Sequence, residues 1–267
     1  MDQRLSLTDR LGNLPQIRMA GLTIAAIGME ETADLMIEAA LTRRWPGGPY
    51  VLTSANGEVI SRCHRDPELA ELFRSADMIS ADGQPMVFAS RLRRGPVLPE
   101  RVATTDLFHA VARRAVRQGV TFYMFGASES ENRRAFDNVV ARYPSLTMLG
   151  RSHGYLAGAA LDDKIDEINA LAPDILWLGL GVPREQLLAR NFAPRLPRVG
   201  LIKTAGGLFN FISGSRVRAP AWMQAAGLEW SWRLAQEPRR LFWRYAMTNP
   251  HACYLLLTGN GRAEAEQ

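Results

Sequence analysis

Residues 174–186 read DILWLGLGVPREQ. Asp174–Leu180 is an almost unbroken apolar run, short enough for a strand buried on both faces, and the polar turn Gly181–Gln186 closes it. Six further runs have the same character: Leu22–Ile27, Tyr50–Thr53, Met78–Ser80, Thr121–Phe125, Leu146–Gly150 and Val199–Thr204. Between most of them lie helical patterns such as Asp106–Gln118 and Glu129–Tyr143, with apolar residues recurring at three and four. This alternation predicts βαβ units, hence an α/β fold with a Rossmann-like, mostly parallel sheet and helices on both faces. It stops after Gly214. The stretch SRVRAPAWMQAAGLEWSWRLAQEPRRLFWRYAMTNP is rich in Arg and Trp and carries no strand signal, so residues 1–214 read as the core and 215–267 as a helical appendage. No internal repeat or low-complexity segment interrupts the chain.

Composition narrows the function classes. With 47% hydrophobic residues in 267, the chain can bury a substantial core, which excludes global disorder. A net charge of +5, mostly from Arg, favours partners that carry phosphate or an anionic membrane surface. No nucleic-acid partner is expected. Cys63 and Cys253 stand far apart and outside any C-x-x-C pattern, which argues against a disulfide framework or zinc knuckle and for a reducing compartment. The start, MDQRLSLTDR, lacks the apolar stretch of a signal peptide, and no segment approaches the ~20 apolar residues of a membrane span. The expected location is therefore cytoplasmic.

In such a sheet, ligands sit at the carboxyl ends of the strands. The turns there read SANG (Ser54–Gly57), ADGQP (Ala81–Pro85), GASES (Gly126–Ser130), GVPREQ (Gly181–Gln186) and AGG (Ala205–Gly207). Small residues at these points let backbone N–H groups approach an anion. For any one turn, a glycine that merely ends a strand explains the pattern as well. Five on one rim point to a nucleotide-sized ligand. Familiar chemistries fall away: in GLGVPR, Arg184 stands where a dinucleotide fingerprint needs Gly or Ala, there is no Walker motif, and Ser130 breaks a nucleophile elbow. His64, His109, His153 and His251 are scattered and read as structural or exposed, so no transition-metal site is expected. No D-x-D pair is present to hold Mg²⁺ or Mn²⁺ on a diphosphate, which leaves backbone N–H groups and Arg to neutralise one. Asp82 follows a short strand and precedes a glycine in a turn stiffened by Pro85. It can cap the next helix or accept a proton at the cleft, and position alone does not choose.

The segments TSANGEVI, SADMISADGQPMVFASR, LPERVATTDLF, FGAS, YPSL with GYL, PDILWLGLGVPREQ, and the long tail from GGLFNF through RAPAWMQAAGLEWSWRL to EPRRLFWRY occur in this order between about Val51 and Tyr245. Together they resemble the WecG/TagA/CpsF family of bacterial glycosyltransferases. The resemblance implies an inverting transferase that moves a hexose, of the N-acetylmannosamine type, its uronic acid, or glucose, from a UDP-sugar to a polyprenyl-diphosphate-linked saccharide in cell-surface polysaccharide biosynthesis. It makes Asp82 the catalytic base, places Thr53 or Ser54 with Asn56 in the same pocket, and sets Arg101 near a phosphate of donor or acceptor. The substrate-binding set it suggests is Thr53, Ser54, Asn56, Gly83, Arg101, Asp106, Gly126, Gly181, Pro183, Glu185, Gln186, Gly206, Gly207 and Arg218, without a metal ligand or a cofactor beyond the donor. Three departures stand out. The family's Q-E order appears as Glu185-Gln186, its glycine after P-E-R-V is the bulkier Thr104, and its T-x-N leaves both Thr53 and Ser54 as partners for Asn56. Arg101 also has a plainer reading, a surface ion pair with Glu100 or Asp106.

The tail fits a lipid-linked acceptor. Ser215–Tyr245 holds six Arg (216, 218, 233, 239, 240, 244) against Glu229 and Glu237, a local charge of +4, among Trp222, Trp230, Trp232 and Trp243. Such a composition suits the headgroup layer, where each basic residue near anionic lipid contributes about 1 kcal/mol. The expected setting is peripheral, on the inner face of the cell membrane, with a homo-oligomer left open. The plainer reading is a helical subdomain packed on the sheet. Two rival functions remain at this stage: a nucleotide-dependent oxidoreductase, and a non-enzymatic sugar-nucleotide-binding protein associated with membrane.

Overall fold

The computed structural model describes residues 6–43 and 47–258, so the first five residues of the amino-terminal stretch and the last nine of the appendage lie outside the described residues. Among the described residues eight strands form: β1 (Gln16–Met19), β2 (Leu22–Ala25), β3 (Tyr50–Ala55), β4 (Met78–Ala81), β5 (Phe122–Gly126), β6 (Met148–Ser152), β7 (Ile175–Gly179) and β8 (Leu201–Thr204). The helices of the first half are α1 (Leu7–Gly12), α2 (Met29–Thr42), α3 (Gly57–Arg65), α4 (Pro67–Arg74), α5 (Gln84–Arg91) and α6 (Thr104–Gln118). Those of the second half are α7 (Glu129–Arg142), α8 (Ala159–Leu171), α9 (Arg184–Phe192), α10 (Leu208–Ile212), α11 (Ala221–Ala225), α12 (Glu229–Gln236) and α13 (Pro238–Thr258).

Six strands make one parallel sheet in the order β4-β3-β8-β7-β5-β6. The chain runs outward from β3 to β4 at one edge and from β5 to β6 at the other, and β7 and β8 fill the gap between. Strand β7 is the apolar run quoted above, and its alternation serves two cores. Ile175 and Trp177 join α2, α6 and α7 on one face, while Leu176 and Leu178 join α8 and α9 on the other. Trp177 sits against Phe108 and Phe122, with ring centroids 4.8 and 5.7 Å away in edge-on contact. At the foot of β7, Asp174 accepts hydrogen bonds from Thr121 N (2.8 Å) and Oγ1 (2.7 Å) and pairs with Arg43 (2.5 Å), which pins the starts of β5 and β7 together.

The run Leu22–Ile27 takes a different place from the one its apolarity suggests. It supplies β2, which pairs antiparallel with β1 in a hairpin outside the main sheet. Ala20 and Gly21 both have positive φ (48° and 83°), the backbone of a two-residue turn whose twist matches the strands. Ile17, Met19, Leu22 and Ile24 are buried against Ile79 and Met86, so the hairpin is a cover over the β4 edge. Strand β6 begins at Met148, because Pro144–Thr147 is spent turning out of α7.

Helix α13 returns across the molecule to α3. Leu255 and Leu256 are buried with Val59, Ile60 and Leu69, and His251 Nδ1 lies 2.9 Å from Ser61 Oγ. The same region leaves Trp222 65% and Trp243 73% exposed. The tail is therefore divided: its leucines pack on the core, and these two indoles face outward.

The rim depends on close backbone contact at one point. Gly126, at the end of β5, has φ +144°, and a Cβ there would lie 2.2 Å from the Gly179 carbonyl oxygen of β7. Since the obstacle is backbone, no rotamer relieves it. The Gly126→Ala variant is expected to lose about 3–5 kcal/mol of unfolding free energy in urea titration, or to fail to accumulate as folded protein. An unchanged titration midpoint would refute the tight junction.

Candidate functional site

A cleft of about 360 Å³ opens at the carboxyl ends of β3, β4 and β8. Its floor and near wall come from the turns after those strands, and its far wall from residues 227–256. The near wall holds Ser54, Asn56, Asp82, Gly83, Arg101 and Thr104, the far wall Glu229, Trp230, Arg233 and Tyr245.

Asp82 is the first residue past β4, held there by its N–H bonded to Ala55 O at 2.7 Å. Its carboxylate is densely used. Arg101 Nε and Nη2 both lie 3.1 Å from Oδ1, while Oδ2 accepts from Thr104 N (3.1 Å) and Thr104 Oγ1 (2.9 Å). Asp82 therefore caps a helix, but not the next one: α5 has Gly83 as its N-cap and no side-chain cap, and Asp82 instead serves the first N–H of α6, whose own N-cap is Ala103. Thr104 thus brings more than bulk: its hydroxyl adds a hydrogen bond to Asp82 beside the one its backbone N–H makes.

Arg101 reaches Asp82 because the 99–103 segment runs along the end of β4, with Val102 N bonded to Ala81 O at 2.8 Å. Its Nη1 meets Glu229 Oε2 at 2.5 Å. Burial works against the guanidinium charge, yet the two carboxylates outweigh it and raise the Arg101 pKa above the ordinary value. The plainer surface pairs do not form. Glu100 accepts from Met29 N at 2.8 Å, and Asp106 pairs with Arg218. In the far wall Arg233, stacked 6.0 Å over the Phe211 ring, has a buried Nε without a hydrogen-bond partner among the described residues.

Strand parity separates Thr53 from Ser54. Ser54 faces the cleft with Asn56, which caps α3 by accepting from Val59 N at 3.1 Å. Thr53 points to the opposite face, 2.7 Å from Thr204 Oγ1 and 3.2 Å from Gln186 Nε2, beside a second cavity of about 400 Å³. Glu185 and Gln186 divide likewise: Glu185 lines the cleft and Gln186 the other cavity.

Glu185 is buried, and its Oε2 accepts from Leu180 N (3.3 Å), Gly181 N (3.0 Å) and Gly206 N (2.9 Å). One carboxylate thereby occupies the backbone donors of the turns after β7 and β8, so the N–H groups of Gly181 and Gly206 are directed at protein. Burial raises the Glu185 pKa, opposed by those three N–H groups and by Lys203. Gly83 and Gly207 line the cleft, whereas Gly126, Gly181 and Pro183 lie outside its lining. Asp106 and Arg218 line a third cavity of about 760 Å³ with His109, Arg142 and Arg216, which meets the cleft at Thr105 and Phe211. There burial first, and then Arg142, push His109 down to about 4.

The residues that sequence reasoning missed are Glu229 as the second partner of Arg101, and Lys203. Lys203 is fully buried in β8 and donates from Nζ to Ser54 Oγ (2.7 Å) and Thr204 O (3.0 Å). Its signal in the sequence is a lysine between Ile202 and Thr204 inside an otherwise apolar strand. Among the described residues, no three His, Cys, Asp or Glu side chains gather as a metal ion requires.

A family model described as the Glycosyl transferase WecG/TagA/CpsF family matches residues 17–265. Two similar proteins bear the name N-acetylglucosaminyldiphosphoundecaprenol N-acetyl-beta-D-mannosaminyltransferase. The one from Bacillus subtilis (strain 168) is 28% identical over 200 residues, 75% of this chain and 76% of that protein. The one from Bacillus spizizenii is 30% identical over 206 residues, 76% of each chain.

The Glu185 clamp has a measurable stability. Glu185→Ala leaves three N–H groups without their acceptor and is expected to lower unfolding free energy by about 2–4 kcal/mol, with Glu185→Gln, which keeps one carbonyl oxygen, losing less. Equal stability of the Ala variant and the parent in urea would show that those donors find water instead.

Proposed function

The chain belongs to the WecG/TagA/CpsF family of glycosyl transferases, and from that premise we propose that it transfers a hexose from a UDP-sugar to a saccharide carried on a polyprenyl diphosphate. As a glycosyltransferase it is an enzyme, and neither the oxidoreductase nor the non-enzymatic reading is retained. An N-acetylmannosamine-type donor and an N-acetylglucosaminyl-diphosphate-lipid acceptor are supported by the names of the two Bacillus relatives.

The observation that carries the mechanism is a carboxylate in the cleft between a partly buried guanidinium and a rotatable hydroxyl. The acceptor hydroxyl oxygen attacks the anomeric carbon and gives its proton to Asp82, the bond from that carbon to the diphosphate oxygen breaks, and the nucleoside diphosphate departs with the electron pair. A carboxylate offers about four lone pairs, and at rest Arg101 and Thr104 fill them. Of those four contacts only Thr104 Oγ–H can turn aside without moving backbone or guanidinium. The incoming hydroxyl takes its place. Arg101 has five N–H donors, of which three are engaged with Asp82 and Glu229, so two are left for a phosphate oxygen. Arg233, with its unpartnered Nε, supplies the second cation from the far wall. These side chains offset the leaving charge on a metal-free reading of the site.

Residues 215–267 serve in this proposal as the membrane-docking appendage. Among the described residues no helix is long and apolar enough to cross a membrane. Docking therefore rests on exposed side chains, Trp222 and Trp243, with Phe242 (52%) against the Trp243 ring.

Two experiments test the reading. Asp82→Asn preserves shape while removing the proton acceptor, so turnover with UDP-sugars and a short-chain polyprenyl-diphosphate saccharide is expected to fall by roughly 10²–10⁴ with donor binding largely kept. Near-normal turnover would remove Asp82 from the chemistry. The double variant Trp222→Ser, Trp243→Ser is expected to lose binding to phosphatidylglycerol-rich vesicles while keeping its circular dichroism and its turnover on a water-soluble acceptor analogue. Undiminished vesicle binding would place the docking surface elsewhere.

A further inference from the structure

Lys203 occupies a costly position that the mechanism above does not use. It sits in a central strand with no exposure, and its ammonium finds two neutral oxygens, Ser54 Oγ and Thr204 O, but no carboxylate within ion-pair distance among the described residues. An ammonium withdrawn from water without a direct counter-ion is expensive, and an apolar residue fits such a strand without that cost. The polar chain around it shows what the charge provides. Lysine ammonium only donates, so Ser54 Oγ accepts from it at 2.7 Å. The Ser54 proton then goes to Ser80 Oγ at 2.9 Å, whose own proton is bound to Thr53 O at 3.3 Å. One Ser54 lone pair remains, and 3.4 Å from it stands Thr104 Oγ1, the group that must turn away from Asp82 before a substrate proton can arrive.

We propose that Lys203 is a positioning residue of the transfer reaction, its buried ammonium fixing Ser54 as the acceptor that receives the Thr104 hydroxyl when that hydroxyl leaves Asp82. The inference rests on the reading of Asp82 as base. With the amine charged, the chain from Lys203 to Thr53 has one proton arrangement. With the amine neutral, Nζ can accept from Ser54, several arrangements compete, and the preorganised acceptor is lost along with a positive charge beneath the cleft. The charged groups that act on Lys203 are Asp82, beyond β4, and Glu185, at the start of α9, while β3 and α6 present the uncharged Ser54 and Thr104. Burial pushes the ammonium down to about 8, against the pull of those two carboxylates. Lys203 is therefore charged below that pH and loses its proton above it, so the arrangement is present on the acid side and lost on the alkaline side.

The experiment is a pH profile of kcat and kcat/KM for the full chain, with UDP-sugar donor and a water-soluble acceptor analogue. The parent is expected to lose turnover above about pH 8 with a single-proton slope. Lys203→Met, checked for folding by circular dichroism, is expected to show no such limb and a kcat lowered roughly 10-fold, with donor KM nearly unchanged. Ser54→Ala removes an acceptor that favours the charged amine, so its limb is expected at lower pH, which keeps the idea testable if Lys203→Met does not fold. An alkaline limb that persists in Lys203→Met, or one that stays at the parent's pH in Ser54→Ala, overturns the proposal. Asp82→Asn in the same series separates the two failures: normal turnover there sinks the base reading, whereas an inactive Asp82→Asn beside an unaltered limb in Lys203→Met sinks only the role of Lys203.

Discussion

A carboxylate mostly withdrawn from water has to have its lone pairs filled, and Asp82 fills them from separated parts of the chain. Arg101 and Thr104 come from the segment entering α6, and Arg101 in turn is shared with Glu229 at the start of α12. Removing one member of such a buried set leaves the others uncompensated, a larger penalty than the set's net contribution to stability. The end of β4, the start of α6 and the first turn of α12 are held in register by this requirement. The cleft is the space that their register leaves.

The Glu185 clamp redirects the electrostatics of the rim. Five glycine-containing turns suggest that backbone N–H groups cradle an anion, yet two of the most exposed-looking donors, on Gly181 and Gly206, meet a carboxylate from the same chain. The cations that line the cleft are side chains, Arg101 from the core and Arg233 from the tail. Guanidinium groups differ from fixed N–H groups in being mobile on their stems, so neutralisation and the position of the tail are parts of one problem.

Much of the fold was legible because the decisive pattern is local. An apolar run such as Asp174–Leu180 between helical periodicities states its own burial on both faces, and the helix patterns at Asp106–Gln118 and Glu129–Tyr143 lie within α6 and nearly coincide with α7. The hairpin was not legible, since β1 is four residues long and Leu22–Ile27 is as apolar as a sheet strand. At the site, Asp82 and Arg101 could be named from motifs, but what they touch could not. The choice between Thr53 and Ser54 depends on strand parity, and that between Glu185 and Gln186 on helix phase, and a single residue of slip reverses either. Lys203 and Ser54 are 149 positions apart and Arg101 and Glu229 are 128 apart, distances over which periodicity carries no information.

The same separations bear on how the enzyme is made. The near wall, from Ser54 to Thr104, leaves the ribosome well before the far wall, from Gly227 to Leu256. Leu255 and Leu256 cover apolar residues of α3 and α4 that are synthesised almost two hundred positions before them. Until they arrive, Val59, Ile60 and Leu69 lack part of their cover, and Arg101 has a single carboxylate partner. A nascent chain that has assembled its parallel sheet still lacks the far wall, so the cleft is complete only once residues 227–256 have docked.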